Sequence, residues 1–376
     1  MLSNGLGFSI CFYVAIAVFT IWLSMQVNSQ SRLGQAGEKG IVQNKILLYA
    51  IFSILFLVSA LRFGVGNDYE NYAYTAHEAS VNGYVVTEPG FNWLVKAVYA
   101  LFGGEYYEIV FALFAFATIG IFLKAMYEQS EAFDETFFLF MTLGLYFQTF
   151  NTMRYYLALA MAFYASRYVL KKDWIRFVLW IAVASLFHKS VLIVLFLYWL
   201  CTLTWKRWFV ILITAGTALC FVLQKPLLWL ALYLYPSYRD TQYLEGGTSL
   251  PSIVRSALIL VFMLWVCKTN EPKDNRQHEI LFYGKLNYLS LLVYTGFSFL
   301  PVITRIGYYV TVFQILLLPL LIRQIGDEKK KKMARSIVII ASVIYFLFFL
   351  FTAHKPGVGL LPYQSWLFST ERFSYK

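Results

Sequence analysis

Long apolar runs alternate with short polar stretches from residue 8 to residue 351. The runs show no period-two alternation, and most approach the ~20 apolar residues a helix needs to cross a bilayer. Water is absent from the hydrocarbon core, so each run must satisfy its own backbone groups as a helix. Residues 8–25, 45–61, 106–126, 136–150, 153–170, 252–267, 280–300, 303–322 and 336–351 are predicted spans. A further span ends near Val222. The apolar stretch ending at Leu203 is broken once, at His188-Lys189-Ser190. As one helix it would be about 50 Å long, too long for one crossing. It is therefore predicted to be a short helical hairpin with His188 at its apex. The fold class that follows is an all-α polytopic integral membrane protein of about twelve transmembrane helices. Residues 1–376 then form a single transmembrane domain.

Composition fixes the class more firmly. Hydrophobic residues make up 60% and charged residues 14%, with a mean hydropathy of +0.62, which excludes an ordinary soluble domain. The net charge of +11 therefore speaks of loops and not of nucleic acid, and no nucleic-acid partner is expected. Basic loops at 32–45, 171–176, 206–207, 268–276 and 323–335 alternate correctly to lie on one side. The positive-inside rule makes that side cytoplasmic and places both termini outside. The acidic turn 128–135 falls on the inside and dissents, although acidic residues orient weakly.

Two external loops follow from this orientation. Residues 62–105 carry a short interfacial or re-entrant helix at 91–102 (FNWLVKAVYALF), interrupted by Lys96 and too short to cross. Residues 223–252 carry Trp229, Tyr233, Tyr235 and Tyr243, which suit an aromatic belt. The first apolar run has neither a basic flank nor a cleavage site and is expected to stay as a signal anchor. Cys11, Cys201, Cys220 and Cys267 are scattered and read as small core residues.

With the topology set by the basic loops alone, a group of isolated polar residues falls at the external ends of helices. It comprises Arg62, Asp68, Glu88, Asn151, Arg154, His188, Lys189 and Arg305. Arginines suit a ligand with several phosphate oxygens, because guanidinium pairs bidentately and keeps its charge. Asp68 and Glu88 are candidate general bases, and an unperturbed histidine such as His188 would titrate near neutral pH. No His, Cys or carboxylate cluster has metal spacing, so no metal and no cofactor are expected. Each residue also has a structural reading. Arg154 and Arg305 fit as helix caps or as ion-pair partners of Asp68 and Glu88. His188 fits as a satisfied turn residue and Lys189 as a snorkelling lysine.

The motifs, in order, resemble the EpsG-like family of Wzy-type polysaccharide polymerases. The resemblance rests on RFGVGND at 62–68 with Tyr72, EPGF at 88–91, NTMRYYLA at 151–158, ASLFHKS at 184–190 and TRIGYY at 304–309. It covers roughly Arg62 to Ile322. The family more often carries Gln where Tyr155 stands and Thr where Asn67 stands.

The resemblance implies a GT-C-like architecture with external amphipathic or re-entrant elements, in a bacterial cytoplasmic membrane with its site facing the periplasm. It implies a metal-independent glycosyltransferase that joins undecaprenyl-diphosphate-linked oligosaccharides. Its expected partners are membrane lipid, a flippase and chain-length regulators. On that reading Asp68, His188 and Arg154 are catalytic. Arg62, Arg305, Glu88, Asn151, Tyr72, Lys189 and Tyr309 bind substrate. A glycan ligase using the same donor, or a flippase of the lipid-linked oligosaccharide, are the alternatives. A flippase would want its charges along a path through the membrane, whereas here they gather at one face.

Overall fold

The computed structural model describes residues 2–28, 38–83, 85–234, 249–269, 276–300, 303–355 and 357–368. The chain divides into two compact units. The first comprises Met1–Tyr164, Ala182–Lys189 and Lys332–Lys376, the second Ala165–Ile181 and Ser190–Lys331. Among the described residues no strand forms, only an isolated antiparallel bridge between Arg62 and Ser365.

The first unit begins with α1 (Leu2–Met25) and α2 (Glu38–Ala60), followed by α3 (Tyr69–Ser80) and α4 (Pro89–Phe102). Then come α5 (Tyr107–Gln129), α6 (Phe133–Thr142) and the single turn α7 (Leu145–Gln148). The chain continues through α8 (Met153–Leu170) and α9 (Trp174–Ser185), which are shared by the two units. In the second unit lie α10 (Ile193–Thr202), α11 (Arg207–Val222), α12 (Gln224–Leu234) and α13 (Leu250–Thr269). It ends with α14 (Gln277–Gly296), α15 (Ile303–Thr311) and α16 (Gln314–Gln324), before α17 (Glu328–Thr352) returns to the first unit.

Among the described residues six helices are long and apolar enough to cross a membrane, or seven when α11 and α12, bent by 80° at Leu223, count as one span. The protein is thus polytopic, but its helix lengths do not give about twelve crossings. The expected count took every apolar run as a full span. The run at 136–150 breaks at the left-handed residue Gly144 (φ 73°), and α9 and α10 have only 12 and 10 residues. Residues 174–203 do form the expected short hairpin. Phe177 of α9 stacks on Tyr198 of α10 at 6.0 Å, with a 3-10 turn at Lys189–Leu192 between the helices.

Four further expectations change. The lysines at 329–332 lie in the first turns of α17, where Asp327 accepts the Lys329 N–H at 2.8 Å. Lys39 and Lys45 likewise lie inside α2, not in a loop. The loop 62–105 holds two helices, α3 as well as the amphipathic α4. Cys201 is buried, whereas Cys11 and Cys267 are exposed on their helices. Of the 223–252 loop, residues 235–248 with Tyr235 and Tyr243 lie outside the described residues; Trp229 stacks on Tyr233 at 5.7 Å.

In the second unit α14 is the hub, touching α10, α11, α13, α15 and α16. A helix so surrounded can carry polar residues at mid-length. Asn287 donates to the Ser256 carbonyl at 2.9 Å, and Gln314 donates to Asn287 Oδ1 at 2.8 Å.

In the first unit α5 packs along α2, and α1 packs against α2 and α6. The core is aromatic: Tyr13 stacks on Phe147 at 4.5 Å, and Phe147 stacks on Phe346 at 5.8 Å. The unit has two chemically distinct ends. At one, Asn28 and Asn44 exchange hydrogen bonds, Asn44 donates to Tyr127, and Arg335 pairs with Glu135. The acidic turn 128–135 is thus met by a basic residue of α17. At the other end, the start of α1 and the segment after α17 meet, Tyr363 N–H donating to Ser9 Oγ at 3.0 Å.

Candidate functional site

Four stretches remote in sequence meet at that second end. The first is the loop leaving α2. A helix cannot continue through Gly64 and Gly66, both at positive φ (63° and 107°), so the chain turns back over the helix terminus. Gly66 comes so close to the turn before α8 that a Cβ there would sit 2.3 Å from the Phe150 carbonyl oxygen. The next peptide is tied to the same turn, Asn67 N–H donating to Asn151 Oδ1 at 2.8 Å. Asp68 then stands at the N-terminus of α3, half-buried, and its Oδ2 accepts the Thr152 hydroxyl at 3.0 Å. An anion there is favoured by the helix dipole.

The second stretch is the start of α4. Pro89 occupies the first turn, where its missing N–H costs nothing. Gly90 packs directly on the turn after α9, its N–H donating to the Leu186 carbonyl at 2.8 Å. A Cβ at Gly90 would be 2.7 Å from that oxygen. This docking brings Glu88 beside the third and fourth stretches. Its Oε2 pairs with Arg154 Nη1 at the start of α8, and its Oε1 accepts the Lys189 N–H at 3.0 Å.

Arg154 and Glu88 are, after Arg62, the most enclosed charges of the group. The Arg154 guanidinium carbon lies 5.3 Å from the Tyr72 ring centre and 5.5 Å from that of Phe91, so two aromatic faces flank it. Its side chain is 14% exposed and that of Glu88 12%. Arg154 Nε is buried with no hydrogen-bond partner. His188 is 9% exposed and sits edge-on to Tyr155 at 5.4 Å. The Lys189 side chain is exposed.

Arg62 takes a different place. It is 4% exposed, donates through Nη1 to the Ser59 carbonyl and hydroxyl, and lies over Phe111 and Phe150 at 5.7 and 5.3 Å. Its Nε is also buried without a partner. Burial lowers its pKa from the ordinary arginine value, and the surrounding phenols, Tyr69 first, pull against that shift.

A strap over residues 357–366 covers this loop. Gly66 N–H donates to the Gly359 carbonyl at 2.8 Å, Phe63 N–H to that of Gln364 at 2.8 Å, and Trp366 N–H to that of Leu61 at 3.1 Å. Tyr363 reaches back to the Val58 carbonyl at 2.9 Å. Burial pushes its phenol up to about 12, with Arg62 pulling the other way, so it remains a donor at neutral pH.

Of the expected site residues, Arg62, Asp68, Tyr72, Glu88, Asn151, Arg154, His188 and Lys189 therefore belong to one unit, on stretches docked to one another. Arg305 and Tyr309 belong to α15 in the second unit. There Tyr309 hydroxyl lies 3.1 Å from Ser190 Oγ and its carbonyl accepts the Tyr198 hydroxyl. The structural reading of Arg154 as an ion-pair partner of Glu88 is realised. Thr152 and the strap were not singled out in the sequence. Thr152 lies inside the NTMR motif. The strap bonds largely through its backbone and carries no motif. Among the described residues no group of three or more His, Cys, Asp or Glu side chains is placed to hold a metal.

These features define a multi-pass, all-helical membrane protein with a charged, aromatic-lined site at one end of a helical unit. The chain belongs to the EpsG family, which it matches over residues 45–365, most of the chain. Members of that family are Wzy-like polysaccharide polymerases. The match extends past Ile322 to take in most of the strap. No curated protein and no solved structure matches the chain.

Proposed function

We propose that this protein polymerises lipid-diphosphate-linked oligosaccharide repeat units at the outer face of the cytoplasmic membrane. The observation that carries the reading is the meeting of Asp68, Glu88, Arg154 and His188 on four mutually docked stretches of one unit. Their end of the unit is opposite the one where Arg335 pairs with Glu135, and the positive-inside rule then assigns it to the outside.

The reaction breaks the bond between the anomeric carbon of the growing glycan and its diphosphate oxygen, which leaves with the electron pair. A hydroxyl oxygen of the next lipid-linked unit bonds to that carbon and loses its proton. Arg154 stabilises the charge developing on the diphosphate through donors aimed by Tyr72 and Phe91. Asp68, oriented by Thr152, takes the proton, with His188 the second candidate base. Glu88 and Asn151 hold the acceptor sugar. Arg62, closed in beneath the loop, acts by setting the position of Gly66, Asn67 and Asp68.

The test is purified protein with one synthetic lipid-diphosphate-linked repeat unit, products being resolved by size. Wild type is expected to give a ladder, and Arg154→Ala and Asp68→Asn none, with all three proteins inserted and folded. A ladder from Asp68→Asn overturns the assignment of the base. Translocation of the labelled lipid in proteoliposomes without a ladder overturns the polymerase reading in favour of a flippase.

A further inference from the structure

Arg154 already has an anion. Its Nη1 is taken by Glu88 Oε2, within a pair that is nearly enclosed. A phosphate oxygen cannot simply be added, because two anions on one guanidinium in a poorly solvated site repel each other. The other contacts of the pair define which group yields. Arg154 is held between Tyr72 and Phe91, so its head keeps its place. Glu88 is tethered through its other oxygen, Oε1, to the Lys189 N–H at 3.0 Å. The carboxylate can therefore give up Oε2 without leaving the site.

Resting on the donor reading above, we infer that Glu88 is the resting counterion of Arg154. The lipid diphosphate displaces it, and the freed Oε2 then accepts the hydroxyl of the incoming sugar. No covalent bond changes in this exchange. The Arg154–Glu88 hydrogen bond is replaced by an Arg154–phosphate bond, and Glu88 Oε2 passes from a guanidinium N–H to a sugar O–H. The consequence is an order of events, donor first and acceptor second. Glu88 Oε2 stays engaged by the guanidinium until a diphosphate has arrived, so it meets a sugar hydroxyl at full strength only afterwards. By linkage, each substrate raises the affinity for the other.

The experiment measures binding of geranylgeranyl diphosphate to the purified full chain in detergent micelles, for wild type, Arg154→Ala and Glu88→Gln. Loss of the competing carboxylate is expected to tighten binding about tenfold in Glu88→Gln, the worth of one charge-assisted hydrogen bond. The same variant is expected to make less polymer, because a neutral amide oxygen accepts the sugar hydroxyl more weakly than a carboxylate does. Arg154→Ala is expected to lose binding. Binding by wild type that Arg154→Ala abolishes, but that Glu88→Gln leaves equal or weaker, overturns the counterion exchange and leaves the polymerase reading standing. Absence of binding by wild type overturns both. Carbodiimide labelling of Glu88, read by mass spectrometry, needs no substitution and covers the case in which Glu88→Gln fails to fold. The diphosphate is expected to speed labelling several-fold, and an unchanged rate overturns the exchange.

Discussion

Asp68 is oriented by its neighbours. The Thr152 hydroxyl donates to Oδ2 at 3.0 Å, and Gly66 and Asn67 fix the backbone on the same turn. A hydrogen bond to a charged group contributes about 1.5–3 kcal/mol. Thr152→Val, which keeps the shape and removes the donor, is therefore expected to slow polymerisation about 10–100-fold, with Thr152→Ser restoring most of it. Steady-state rates with the synthetic repeat unit decide this, and a valine variant at the wild-type rate removes Asp68 from the chemistry. At this scale the sequence was informative wherever a residue type was costly. An arginine, an aspartate and a histidine beside apolar runs needed a reason, and Arg62, Asp68, Arg154 and His188 could be picked out by that logic. Thr152 could not, because a threonine beside a helix start costs nothing and so announces nothing. Arg62 was legible as important but not as buried. Nothing in RFGVGND tells that the guanidinium turns inward over Phe111 and Phe150 instead of outward to a ligand.

Among the elements, the length of each apolar run and the polar residues that interrupt it pointed to α4 as an interfacial amphipathic helix and to the 174–203 stretch as a hairpin. Both rest on local length and patterning, which a sequence carries in full. The strap is the opposite case. It holds the Arg62 loop by backbone hydrogen bonds at Phe63, Gly66 and Trp366, and backbone groups are the same in every sequence. Two side chains also tie it to α2, Trp366 to the Ala60 carbonyl and Tyr363 to that of Val58, and Tyr363 is the titratable one. Because burial raises that phenol's pKa, the stability it contributes is complete below the unfolded value of about 10. It is lost as pH climbs toward the folded value of about 12. Thermal unfolding of wild type in detergent is thus expected to be level from neutral pH to about 9 in this respect and to weaken above 10. Tyr363→Phe should be less stable throughout and lack that alkaline component. Identical profiles for the two proteins would separate Tyr363 from the strap's hold.

For the molecule as a whole, the first unit has a polar end, where Arg335 meets Glu135, and a site end. The start of α1 and the segment after α17 meet at the site end, through Tyr363 and Ser9. The described helices support several crossings but not a count of about twelve, because hydropathy registers how apolar a run is and not whether Gly144 breaks it. In a background without Cys11, Cys201, Cys220 and Cys267, single cysteines at Asn67 and at Lys332 report the orientation. A membrane-impermeant maleimide applied to intact cells should label the first and reach the second only after permeabilisation. The reverse pattern would put the site inside. Order of synthesis adds a constraint of another kind. Tyr363 and its partner Val58 are 305 residues apart. At about 5–20 residues per second, the ribosome adds the strap roughly 15–60 s after the loop it fastens. During that interval the nascent chain holds its arginine and aspartate on an unfastened loop. The hydrogen bonds that Gly66 and Phe63 donate to Gly359 and Gln364 can form only once translation has passed the latch.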